Sequence, residues 1–329
     1  MIRELTLVEA VALFARNESE KEFISFPFTF ERTHFVFMTG ERISGRISAN
    51  LSLRDSGRGY IGMFECDASS PHASTIAGEL IAVTEKWLKD RGVKNAYGPV
   101  NYSTMYQYRF ELPRDAGDQT PSFFWEPAQP AVYVDWFESA GYSVADRYFS
   151  KAFENLHLIV PKSQQRYDDA LKMGFSTRVL DFSKDPQHEL AMLSKINAGS
   201  FEESFLAEPF DEKAYRTLVA PRFFDVLSEF SFFILNPKGE EIGYYFLFPE
   251  NGYLVWKTIA ILPEYQKAGL AGFGIHHSLL LAEKHGIKKV VAALIRNGAP
   301  SEVLLKRGEQ FQIWEHRYAV YGKTFNDIG

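Results

Sequence analysis

The feature that most narrows what this chain can fold into is the run Val255–Asn297, VWKTIAILPEYQKAGLAGFGIHHSLLLAEKHGIKKVVAALIRN. An apolar, β-prone segment, 254–262, leads into a short loop, Pro263-Glu264-Tyr265-Gln266-Lys267-Ala268-Gly269. A helix-length segment follows, with Leu270, Phe273, His277, Leu280 and Leu281 on one stripe and a stop at Gly286. A second apolar run, 287–295, reads as the next strand. The unit is strand–loop–helix–strand, and small residues crowd its first turn.

That turn is where chemistry can be placed. Gln266-x-x-Gly269-x-Ala271 leaves little side-chain bulk between backbone N–H groups and whatever approaches them. The first N–H groups of a helix have no internal partner, and the aligned peptide dipoles favour negative charge there. Such a turn is a phosphate cradle. It lacks the closing Gly-Lys-Ser/Thr of a P-loop, and no Gly-x-Gly-x-x-Gly is present.

The pattern resembles the acyl-CoA-binding motif of the GNAT acetyltransferase superfamily, on residues 259–271, IAILPEYQKAGLA. The resemblance implies an α/β (α+β) fold of mixed, mostly antiparallel twisted sheet flanked by helices. It implies acetyl-CoA, or another acyl-CoA, as cofactor. The backbone of Ile259, Ala260 and Ile261 would hold the pantetheine arm. The turn Gln266, Lys267, Ala268, Gly269, Leu270 and Ala271 would take the diphosphate, with Lys267 adding countercharge, and Asn297 would contact the pantetheine or the cofactor end. Family members often carry Arg where Gln266 stands, which implies weaker phosphate affinity here.

At 329 residues the chain exceeds what one compact core usually holds, so two domains are expected. The order of elements supports this by occurring twice. Gly40-Glu41-Arg42-Ile43 parallels Gly239-Glu240-Glu241-Ile242, and Arg58-Gly59-Tyr60 parallels Asn251-Gly252-Tyr253. Trp87–Lys94 parallels Leu281–Lys288 at a helix end. Self-similarity at about one domain length points to duplicated domains, 1–150 and 151–329. The copies differ at the decisive turn, where the first has Ser70-Pro71-His72-Ala73-Ser74-Thr75. Pro71 removes an N–H, no glycine permits close approach, and Asp67 adds negative charge. The first copy is therefore expected to be degenerate and not to bind coenzyme, with Ser69, Ser70 and Ser74 available to cap its helix.

Local patterns predict helices over 5–15 and 131–140, a strand over 150–158, and a polar helix over 162–172. Helices are also expected over 189–201 and 211–218, and two closing strands over 310–314 and 316–321. The aromatic stretch 102–148 completes the first core or walls an acceptor pocket between domains. By resemblance Phe205, Glu208 and Phe210 are acceptor-pocket candidates, with a solvated acidic loop as the alternative.

Hydrophobic residues at 46% and aromatics at 15% suit packed cores. Net charge is −6, from 36 basic and 42 acidic residues, with no long basic run, which argues against nucleic acid as partner. No apolar run is long enough to cross a bilayer, and the N-terminus lacks a secretory pattern. The lone Cys66 suits a reducing, cytoplasmic setting and reads as packing. No metal-ligand set is assigned.

Acyl transfer to an amine requires a held thioester, a route for the amine proton, and a donor for the leaving thiolate. The resemblance places the family's tyrosine donor at Leu305, which cannot serve. Tyr318 and Tyr321 are the substitutes available, and a base acting through water is a further option. His276 and His277 read as structural or surface residues. The expectation is an acetyl-CoA-dependent N-acyltransferase acting on a small-molecule or peptide amine. The alternatives are a non-catalytic CoA-binding sensor and an aminoacyl or peptidyl transferase.

Overall fold

The computed structural model describes residues 1–224 and 229–325, apart from the side chains of Lys162, Lys267 and Arg307. The first half runs β1 (Ile2–Leu5), α1 (Leu7–Phe14), α2 (Glu18–Ser25), β2 (Arg32–Thr39), β3 (Arg42–Leu51), β4 (Arg58–Cys66), α3 (Ala73–Lys89), β5 (Asn95–Gly98), β6 (Phe110–Glu111) and α4 (Val132–Ser139). Helix α1 begins at a capping box, Thr6 Oγ1 accepting from the Glu9 N–H while Glu9 accepts from the Thr6 N–H. Strand β1 is too short to show a period, and helix α2 has only Phe23 and Ile24 as large apolar residues, so neither is read from the sequence. The second half follows as β7 (Ser143–Phe153), α5 (Leu156–Lys172), β8 (Ser176–Val179) and α6 (Pro186–Phe201). Next come α7 (Glu212–Ala214), a π-helical turn at Tyr215–Val219, α8 (Ala220–Phe224), β9 (Phe232–Leu235), β10 (Glu241–Glu250) and β11 (Tyr253–Ile261). The chain closes with α9 (Leu270–Lys284), β12 (Lys289–Arg296), α10 (Pro300–Leu305) and β13 (Gln312–Thr324).

All strands join one mixed, mostly antiparallel sheet in the order β1-β2-β3-β4-β5-β13-β7-β12-β11-β10-β9-β8, with β6 beside β13. The duplicated pattern is visible in it. Strands β4 and β5 run parallel with α3 as crossover, and β11 and β12 run parallel with α9 as crossover. The last strand, β13, lies between β5 and β7 and hydrogen-bonds to both, and residue 150 falls within β7.

Three local expectations are corrected. Strand β7 ends at Phe153 and not at Leu158, because Asn155 takes a left-handed conformation (φ 56°) that turns the chain into α5. The two closing strands are one, because Glu315 stays in register opposite Lys151 and pairs with it at 3.3 Å. The helix over 211–218 is a short α-helix that widens into the π-helical turn.

Apolar packing covers both faces. Helices α3 and α4 lie on the first half through Ile76, Leu80, Trp87 and Phe137. Helices α5 and α9 cover one face of the second half, with Tyr167 stacked on Phe273 at 5.0 Å. Helix α6 and the π-helical turn cover the opposite face through Leu193, Ile196, Tyr215 and Val219. No helix among the described residues is long and apolar enough to cross a membrane.

Candidate functional site

Strands β11 and β12 pair only from Tyr253–Lys289 to Trp256–Ala292 and then part. Two bulges separate them. In β11 the register against β10 slips at Lys257, leaving it as the extra residue. In β12 the register against β7 slips between Ala292 and Ile295, with Leu294 left-handed at φ 56°. The Leu294 N–H is taken by Ser150 Oγ at 2.9 Å.

Beyond the bulges β11 still pairs with β10, and the Leu262 N–H donates to the Ile242 carbonyl at 2.9 Å. Peptide groups alternate sides along a strand, so those of Ala260 face β10 while those of Ile259 and Ile261 face the gap. Gln266 Nε2 donates to the Ile261 carbonyl at 3.0 Å, which ties the turn to the strand. The backbone of Ile259 has no strand partner on that edge among the described residues.

The turn is a 3₁₀ segment, Pro263–Ala268, followed by Gly269 at φ 75° and ψ 8°. This conformation favours glycine, and a Cβ there would meet open space. Helix α9 starts without a side-chain cap. Leu270 is buried, while the Ala271 carbonyl accepts from Tyr245 Oη at 2.6 Å, fixing the start of the helix to the sheet. The side chain of Lys267 lies outside the described residues. Asn297 is exposed, and its N–H donates to the Arg147 carbonyl at 2.9 Å.

The first half closes the corresponding gap with its own chain. Strands β4 and β5 pair from Arg58–Asn95 to Tyr60–Tyr97, after which the Val100 N–H donates to the Ile61 carbonyl. The Val100 carbonyl sits where a Cβ on Gly62 would be, and Asn101 Oδ1 takes the Met63 N–H at 2.7 Å. At the α3 turn the serines do not cap the helix. His72 is the N-cap without a side-chain bond; Ser69 donates through its N–H and hydroxyl to Asp67, and Ser70 Oγ accepts from the His72 N–H at 3.2 Å. Burial pushes the Cys66 thiol up to about 11, and its Sγ sits 3.6 Å from the Ala73 carbonyl, so it is a packing residue.

The open gap leads into a cavity of about 960 Å³ between the halves. Its walls include Trp256, Lys257, Thr258 and Ile259 from β11, and Ala292 to Arg296 from β12. Phe205, Glu208 and Phe210 join them, and the first half adds Tyr106, Tyr108, Arg109 and Trp125. The aromatic stretch therefore divides: Phe110, Tyr133, Trp136 and Phe137 belong to the first core, and the residues just named face the cavity.

The Glu208 carboxylate is fully engaged with the first half. It accepts from Ser52 Oγ at 2.5 Å, from the Tyr60 hydroxyl, and from the N–H groups of Leu53 and Arg54 at 2.8 and 3.2 Å. Leu305 lines the cavity, whereas Tyr318 and Tyr321 do not. Tyr318 is fully buried with its hydroxyl between Glu126 and Ser150, and Tyr321 donates to Glu138 at 3.2 Å. Burial pushes both phenols above their ordinary value. His276 bonds Ser163 Oγ at 2.7 Å, and burial pushes His277 down to about 4. Both pack against α5, away from the cavity.

Two residues of the cavity escaped the sequence reading. Burial, aided by the charge of Arg109, pushes the Lys257 amine down to about 7. Arg109 is only 8% exposed, with its guanidinium 3.8 Å from the ring centre of Tyr108 and 4.1 Å from that of Tyr148. Nearby, His316 is held between Glu126 at 2.7 Å and Asp118 at 3.1 Å. Glu111, Glu126 and His316 could converge on a cation, but Arg114 already pairs with both carboxylates.

No protein-family model and no curated protein matches the sequence. Solved structures do. The tandem GNAT protein from the clavulanic acid biosynthesis pathway superposes with a TM-score of 0.55 at 11% identity, over 98% of each chain. An Enterococcus faecalis V583 protein described as a probable N-acyltransferase gives 0.53 at 10%, over 98% of this chain and 72% of that one. The glucosamine N-acetyltransferase region of a fungal multi-domain GH3 β-N-acetylglucosaminidase gives 0.52 at 12%, over 98% and 38%. At such identities the likeness is one of fold, and the fold of this chain is that of the tandem GNAT proteins.

Proposed function

We propose that this chain is an acyl-CoA-dependent N-acyltransferase, with acetyl-CoA as the simplest donor and an amine as acceptor. The observation that carries the reading is the parted pair β11 and β12, where the unpaired backbone edge of Ile259 runs up to the open turn at Gly269. The N–H and C=O of Ile259 offer an extended amide chain the partner that β12 withholds. The amides at the start of α9, with the helix dipole behind them, offer a diphosphate its donors. When bound, the coenzyme supplies the thioester carbonyl that the amine attacks. The chain's own work is to hold that arm straight, to keep water out with Trp125, Tyr148 and Tyr215, and to admit the amine from the cavity. The first half, with its gap closed by Val100, acts as scaffold and acceptor wall.

The test is thermal stability in the presence of acetyl-CoA. The wild-type melting point should rise, and Gly269→Asp should abolish the rise. Gly239→Asp, at another left-handed glycine open to solvent, should leave it in place. Release of free thiol against a panel of amines then separates an enzyme from a CoA-binding sensor. The proposal falls if the wild-type melting point does not respond.

A further inference from the structure

The charges around the cavity do not balance. Of its four basic residues, Arg54 pairs with Glu203 at 3.5 Å and Arg296 with Asp146 at 2.5 Å. Arg109 and Lys257 have no carboxylate partner among the described residues. Glu208 is bound by its four donors, and Glu202 stands exposed at the rim.

Buried charges are ordinarily paired, because leaving water uncompensated is costly. Arg109 is partly compensated by its two tyrosine rings and by Nη1 donating to the Leu294 carbonyl at 3.2 Å. Its Nε is buried with no hydrogen-bond partner among the described residues, and so is Trp256 Nε1 on the same cavity wall. Lys257 projects from the bulge toward the same space, its ammonium 5.5 Å from the Trp125 ring centre. A guanidinium held against two perpendicular rings is a preorganised fork for a planar or tetrahedral anion.

We propose that Arg109 and Lys257 form a receptor for an anionic group, carboxylate or phosphate, carried by the acceptor amine. The acceptor class is thus an amino acid-like or amino phosphate-like molecule and not a simple polyamine. The identity of the nucleophile rests on the acyl-transfer reading, whereas the anion site does not. The diphosphate turn lies at the other end of the gap, so the two anion sites are separate.

Two measurements on the full chain test this independently. The first is acetic anhydride labelling of Lys257, followed by mass spectrometry, with acetate, phosphate or chloride at matched ionic strength. One of acetate or phosphate should slow labelling several-fold relative to chloride, and which one does so names the anion. Arg109→Gln should remove the protection, and Arg109→Lys, which keeps the charge, should retain part of it. The second is thiol release with paired amines, lysine against cadaverine and phosphoethanolamine against ethanolamine. The member that carries the carboxylate or phosphate in one pair should be at least tenfold better in kcat/KM, and Arg109→Gln should erase the difference. The proposal is overturned if neither anion protects wild-type Lys257, or if the amines that lack the anionic group are preferred. An absent acetyl-CoA shift with intact protection would sink the acyl-transfer reading alone.

Discussion

Arg109 donates through Nη1 to the carbonyl of Leu294 at 3.2 Å, joining the segment after β5 to the bulge that bends β12 away from β11. The N–H of the same leucine goes to Ser150 Oγ, whose own hydroxyl donates to Tyr318 Oη at 3.1 Å. Tyr318 in turn donates to Glu126, the partner of His316. A continuous set of polar contacts therefore fixes the strained residue that opens the gap.

Ser150→Ala removes the acceptor of the Leu294 N–H and the donor to Tyr318 Oη in a buried region. The expected loss is about 1–3 kcal/mol of stability, the usual cost of leaving buried donors unmade. Denaturant unfolding measures it. Ser150→Thr, which keeps the hydroxyl, should recover part of the loss, and equal losses for both variants would exclude the hydrogen bonds as its source.

Gly274→Ala tests the seat of helix α9. A Cβ there would lie 2.3 Å from the Tyr245 ring, whose hydroxyl anchors the Ala271 carbonyl. Overpacking of this kind costs about 1–3 kcal/mol. Because the displaced ring holds the turn at Gly269, to which the proposed function assigns the diphosphate, acetyl-CoA protection in a thermal shift should fall along with stability. Gly78→Ala, on α3 with open space around it, should cost nothing in either measurement.

The turn at Gly269 and its helix were legible in the sequence because both are local: a glycine at positive φ, an uncapped helix start, and an apolar stripe. The closing of the first gap was not legible. Pro71 and the missing glycine speak only of the turn before α3, whereas the group that fills the gap is Val100, placed there by the path after β5. Lys257 and Arg109 could not be read locally. Whether Lys257 bulges depends on its register against β10, and Arg109 meets the cavity because β13 returns to sit between β5 and β7. The same return hid the continuity of β13, whose Glu315 breaks the apolar alternation yet is satisfied by Lys151.

Glu208 joins the halves, so its removal should loosen them. Glu208→Ala strips an acceptor from Ser52, Tyr60, Leu53 and Arg54 together. Hydrogen bonds to a charged group are the stronger kind, and the loss should be about 2–3 kcal/mol. Limited proteolysis should also cut faster within 202–210, the loop this carboxylate pins to β3. Glu208→Gln keeps the shape and one acceptor and should lie between wild type and Glu208→Ala. Unchanged proteolysis in Glu208→Ala would mean that the aromatic contacts of Phe205 and Phe210 hold the loop alone.

Lys257 sets a dependence of stability on pH. Burial, followed by the repulsion of Arg109, takes its amine from 10.5 down to about 7 in the folded chain. Between those values the unfolded chain holds a proton that the folded chain lacks, so this residue makes stability rise with pH across the window. Below pH 7 both states are protonated and the folded protein bears the cost of a half-buried ammonium beside Arg109 and the Trp125 ring. Lys257→Met should therefore be more stable than wild type at pH 6, by about 1–2 kcal/mol on the scale of relieved burial defects. The advantage should shrink steadily from pH 7 toward 10.5, since the lysine ceases to be charged. Chemical denaturation of both proteins at pH 6, 8 and 10 measures the difference directly and cancels the titration of the buried tyrosines that both share. A difference that is flat across the three pH values would show that Lys257 keeps an ordinary amine and faces water.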